Sequence, residues 1–309
     1  MIMKDLDSSG KNLQELKNEN KTIQTEAKKI QFNGIFDRLS DELKPYVEQA
    51  CDKGASSWLN ALPIREQNLD LNKEEFKDAL RLRYNMPLKN LPTNCPCGVP
   101  FNVIHALNCK KGGFVAKRHD NIKDFLTVLL NKVCHDVQSE PQLIPLTNEV
   151  MRLKTANTNN ESRLDIKAKG FWRRGQTAFF DIRVTHVNSQ SNKNQNTATI
   201  FRNHETSKKR EYMERVLEVE HGSFTPLVFG TNGGMGVECT KFVSKLASEL
   251  SEKQNESYST VITWLRTRLS TEITKSTIMC VRGSRTPFRK HDANIADDLQ
   301  LNNVECGIY

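Results

Sequence analysis

Two short apolar segments, 163–168 and 178–187, each hold one aspartate, and this pair constrains the chain more than any other feature. The first places Asp165 between Leu164 and Ile166. The second, richer in β-branched and aromatic residues, places Asp181 between Phe180 and Ile182. Both read as strands, joined by a polar turn that contains glycine. Alternation along the second strand puts Phe179, Asp181 and Arg183 on one side and turns Phe180, Ile182 and Val184 toward a core. A carboxylate in an apolar strand is costly unless something pairs with it. A hard divalent cation bridged by both aspartates would meet that cost and position water against a phosphate. The plainer account of Asp181 and Arg183 is a local ion pair on an exposed strand face.

The flanking segments bear on the choice. Cys95, Cys97, His105 and Cys109 put three thiols and an imidazole within fifteen residues, a donor set for a closed tetrahedral zinc site. The segment is too short to build a core, so metal would supply its folding energy. Its Cys-x-Cys spacing is one residue tighter than usual, and free thiols in a loop are the competing account. Ile122, Phe125, Leu126, Leu129 and Val133 form the apolar stripe of a helix with Asp120 as N-cap, and Arg118 and His119 lie just before it. Near a helix start His119 could contact a phosphate. Glu140 falls where an edge strand would begin.

Downstream of the strands, 188–197 is a polar low-complexity loop. A charged helix over 204–219 follows, on which Lys208 and Tyr212 share a face. The apolar run 224–229 reads as a strand, and its Pro226 points to a sheet edge or bulge. The glycine-rich 230–236 lacks the phosphate-loop pattern, which argues against nucleotide binding. Near the N-terminus Asn72 and Glu75 form a capping box for a helix that ends before Pro87. Val261, Trp264, Leu265, Leu269 and Ile273 mark a last amphipathic helix, and Arg282, Arg285, Arg289 and Lys290 a basic tail.

The net charge of +8 suits a nucleic-acid partner. There is no apolar run of membrane-spanning length and no secretory leader, so the expectation is a soluble intracellular protein. Its eight cysteines are then reduced thiols or metal ligands.

Taken in order, the Cys/His cluster, the Arg-His-Asp helix, Glu140, the two aspartates and the Lys/Tyr helix resemble the C-terminal region of non-LTR retrotransposons that carry a restriction-like endonuclease. There a CCHC knuckle precedes a nuclease of the PD-(D/E)xK type. The resemblance covers roughly 50–290. It implies an α/β fold with a restriction-endonuclease-like mixed central sheet flanked by helices and a metal site at one end. It further implies a metal-dependent DNA endonuclease derived from such an element, or a catalytically eroded nucleic-acid-binding remnant of the same fold. The implied catalytic set is Asp165, Asp181, Arg183, Lys208 and Glu140. Mg²⁺ (or Mn²⁺) would lie on Asp165 and Asp181, and structural Zn²⁺ on the knuckle. Arg118, His119, Lys209, Tyr212, Arg282 and Arg285 are the implied nucleic-acid contacts, with DNA as partner, RNA as a second candidate, and a nuclear location. Two departures stand out: Leu164 replaces the usual Pro, and Arg183 stands where Lys is expected. Arginine stabilises phosphate charge but is always protonated and cannot act as a base. No reverse-transcriptase acidic box is visible, which leads to the expectation of a truncated or host-retained copy. The expected organisation is a polar N-terminus (1–34), a helical region (35–94), the knuckle (95–113), the nuclease core (114–255), a C-terminal helix with basic tail (256–290) and a flexible end (291–309).

Overall fold

A computed structural model describes residues 13–144, 164–193 and 195–285. The readings placed on the loop before Asp165, on Arg289 and Lys290, and on 291–309 lie outside these residues. The N-terminal part is helical, with α1 (Leu13–Phe36) largely exposed, a short α2 (Lys44–Ala50) and α3 (Lys73–Arg83). The capping box expected at α3 is present, Asn72 and Glu75 each accepting the other's backbone N–H.

The helix cap falls at Gly113, seven residues earlier than the apolar stripe suggested. Gly112 and Gly113 both adopt positive φ, turn the chain and seat Phe114 in the interior, so α5 spans Phe114–Val133. Asp120 therefore does not cap the helix but lies within it. Four strands follow, β1 (His135–Ser139), β2 (Ile166–Lys169), β3 (Thr177–Thr185) and β4 (Ser223–Gly230), in the order β1-β2-β3-β4. β1 and β2, and β2 and β3, pair antiparallel, whereas β3 and β4 run parallel. A parallel neighbour needs a crossover, supplied by α6 (Thr197–Glu218), which starts on an Asn196 cap inside the segment expected to be loop. Pro226 sits on β4, at the edge of the described sheet, where its missing N–H costs no ladder bond.

Strand alternation sets the two layers. Ile166, Ala168, Phe180 and Ile182 face α5, α7 (Val237–Gln254) and α8 (Tyr258–Arg282) in the largest apolar cluster. On the other face Phe179 and Phe224 pack against Tyr212 and Val216 of α6. The described residues thus form a mixed α/β fold, eight helices around a four-stranded mixed sheet. Helix α8 is no appendage: Val261, Ile262, Leu265, Leu269 and Ile273 belong to the main core. No described helix is long and apolar enough to cross a membrane.

Candidate metal and carboxylate sites

Asp165 lies one residue before β2, and its backbone and side chain bracket Asp181 on the neighbouring strand. Its N–H donates to the Phe180 carbonyl (3.1 Å), while its carboxylate Oδ2 accepts the Ile182 N–H (2.5 Å). The side chain stands in for the next ladder carbonyl, which holds the carboxylate against the backbone of Asp181. Asp181 is only 6% exposed. Burial first, and then the Asp165 charge, push its carboxyl up to about 7, against the opposing pull of Lys208.

Two helices bring cations to this pair. From α6, Lys208 Nζ hydrogen-bonds Asp181 Oδ1 at 3.3 Å and lies 3.2 Å from Oδ2, and its third neighbour is Glu211 at 3.4 Å. It makes no hydrogen bond to Oδ2, so that buried oxygen remains without one among the described residues. From α5, His119 Nε2 lies 3.1 Å from Asp165 Oδ2, and Nδ1 lies 3.4 Å from Asp120. Burial opposes the ring's charge, yet the bond to Asp165 and its charge win and raise His119 to about 9. His119 is thus a partner of the first aspartate, in place of the free phosphate contact the helix start suggested.

Glu140 donates its backbone N–H to the Asp165 carbonyl (2.7 Å). Its carboxylate is held by Lys123 Nζ at 2.6 Å, and Lys123 also binds Asp120 at 3.0 Å. Lys123 is the residue sequence reasoning missed. The signal was its position four residues after His119, on the same face of one helix. Arg183 is two positions after Asp181 on β3, with no side-chain hydrogen bond or ion pair to a described residue, and burial together with the Arg183 charge keeps His204 neutral down to about 4.

The expected nucleic-acid contacts fare differently. Arg118 is 2% exposed and donates to the Leu107 carbonyl and to Cys280 Sγ. Arg285, also buried, donates to the carbonyls of Ala106, Cys280 and Gly283. Tyr212 is 3% exposed and stacks near Phe224, and burial raises its hydroxyl pKa. These three are interior groups, which corrects their reading as contacts. Arg282 pairs with Asp78 (2.6 and 2.8 Å), and Lys209 with Glu238 (2.9 Å).

The Cys/His cluster closes as its donor set suggested. One ligand atom from each of Cys95, Cys97, His105 and Cys109 lies within 4.8 Å of the others. Cys95 and Cys109 sulfurs are 3.8 Å apart, and Cys97 Sγ is 3.3 Å from His105 Nε2. Bonds of about 2.3 Å in a tetrahedron separate sulfurs by about 3.8 Å, so the group could hold a metal such as zinc. A turn with Gly98 at positive φ presents the first two thiols. Asn102 caps α4 (Val103–Asn108), which carries His105 and delivers Cys109. No protein-family model matches the chain, and no curated protein matches it.

Proposed function

We propose that the chain is a metal-dependent DNA endonuclease with a restriction-endonuclease-like core, the bracketing of Asp181 by Asp165 being the observation that carries this reading. Two oxygen donors set against each other inside a sheet, one oxygen lacking a hydrogen bond and one carboxyl driven toward neutrality, suit a hard divalent cation. Mg²⁺ or Mn²⁺ bound there would polarise the phosphate and make water nucleophilic near neutral pH. His119, a cation near neutral pH, pairs with Asp165 and fixes its orientation. Lys208 holds Asp181 and stands where an ammonium can steer an attacking water or neutralise phosphate charge. Arg183 adds permanent positive charge on the same strand. Glu140, tied to Lys123, acts as a support of the site, and its donor role is the weaker one. DNA as substrate carries with it the nuclear location, and the knuckle metal would be structural zinc.

The catalytically eroded binding module is the second reading, favoured by Arg183 in the position of the expected lysine. A plasmid-nicking assay separates them. Under the nuclease reading, nicks accumulate with Mg²⁺ and are lost with the chelator or with Asp165→Asn. DNA binding without metal-dependent nicking would leave the eroded module.

A further inference from the structure

We infer that the turn between β2 and β3, residues 170–175, is a built contact for the backbone of duplex DNA, an inference that rests on the nuclease reading for its choice of partner. The stretch 166–180 holds Lys167, Lys169, Arg173 and Arg174 and no acidic residue. Lys167 is engaged with Asp136 at 3.1 Å. The other three are exposed and make no ion pair or side-chain hydrogen bond to a described residue. They stand apart from Arg118, Arg282 and Arg285, which are spent on carbonyls and carboxylates of the chain itself.

An exposed arginine pair on a loose loop would be an ordinary solvated turn. This turn is anchored. Phe171 is buried and packs on Phe180 and Phe242, and Trp172 Nε1 donates to Thr225 Oγ1 at 3.0 Å. Gly170 N–H bonds the Gln176 carbonyl (2.8 Å), and Gln176 N–H the Arg173 carbonyl (3.1 Å). Glycines at positive φ, Gly170 and Gly175, close the turn at both ends. The two guanidinium groups are thus displayed from a backbone already ordered, so little loop entropy is lost on binding. The place fits as well. Asp165 and Gly170 flank β2 and stand five residue steps apart, about 16 Å of extended chain, close to half a turn of duplex, about 17 Å. A duplex lying along β2 with one phosphate at the carboxylates would offer another to the turn.

The test is duplex binding by fluorescence anisotropy over a salt series without Mg²⁺, using the full chain and an Arg173→Ala/Arg174→Ala variant. Each lost phosphate contact lowers the slope of log K against log salt by about 0.9, so the double variant should lose roughly 1.8 and bind roughly tenfold or more weakly at low salt. Its melting temperature should stay with the parent, because neither side chain holds the turn. Arg173→Lys/Arg174→Lys should restore most of the slope. An unchanged slope in the alanine variant overturns the inference, as does a parent chain that binds no duplex. The nuclease reading fails separately, by duplex binding with this slope change but no metal-dependent nicking.

Discussion

Asp181 is the residue on which structure and chemistry pull in opposite directions. Its carboxyl has an unfolded value of 3.8 and a folded value raised to about 7 by burial and by Asp165. A raised carboxylate contributes stability that is present at low pH and lost as pH rises through the folded value. Metal-free protein at pH 8 therefore carries a buried charge that Lys208 only partly offsets. Asp181→Asn keeps the shape and removes the charge. Relative to the parent, urea unfolding without Mg²⁺ should show the variant gaining stability between pH 5 and pH 8, by roughly 1–3 kcal/mol at the upper end. Nicking should be abolished, with duplex binding intact or slightly tighter. A variant less stable than the parent at pH 8 would mean that the Lys208–Asp181 pair is a structural ion pair and would remove the main support for a metal there. Lys208→Ala should go the other way: without its ammonium, Asp181 should become harder to ionise, and activity should require higher pH. A pH profile of nicking reads this directly, and an unshifted profile counts against a role for Lys208.

The short helix α4 shows how an element can depend on partners far along the chain. At six residues it is below the length that holds itself in water. Its last-turn carbonyls, Ala106 and Leu107, are taken by Arg285 and Arg118, and its His105 and Cys109 face the thiols of the preceding turn. Cys109→Ser should therefore lower bound zinc from about one per chain to near zero and lower the melting temperature by several degrees, because metal binding here is folding energy. Elemental analysis finding zinc retained in that variant would refute the ligand set. What was legible in the sequence follows the range of the forces involved. The α3 capping box, the paired strands and the knuckle rest on residues within about fifteen positions of one another, and all were readable. Arg118, Arg285 and Tyr212 look the same in sequence whether they meet phosphate or the interior of the chain; their partners lie on elements that only the fold brings together. The Asp165–His119 bond joins positions 46 apart and was hidden for the same reason.

On the scale of the molecule, α8 is the element that joins the parts. Its apolar stripe reads as one face of an amphipathic helix, but its other faces are lined by Ser270, Thr271, Thr274, Ser276 and Thr277, all buried. Small hydroxyls let it pack on every side; Thr274 returns its hydroxyl to the Ser270 carbonyl (2.8 Å), and Thr277 bonds the Thr231 carbonyl (3.1 Å). One face meets α5 and α7, while Ser270 receives the Trp58 N–H and Arg282 holds Asp78 of α3. The boundary drawn at residue 255 therefore cuts through a core. Val261, Ile262, Leu265, Leu269 and Ile273, at about 1.5–3 kcal/mol each when fully buried, contribute roughly 10 kcal/mol, against a typical net stability of about 5–15 kcal/mol. A chain ending at Asn255 should accordingly lack a cooperative thermal transition by circular dichroism, even with zinc supplied. Leu265→Ala, which empties a site with no solvent access, should cost about 2–5 kcal/mol and destabilise the helical region and the sheet together. A shortened chain that still melts sharply within a few degrees of the parent would show that 114–255 is an independent unit, and that α8 merely rests upon it.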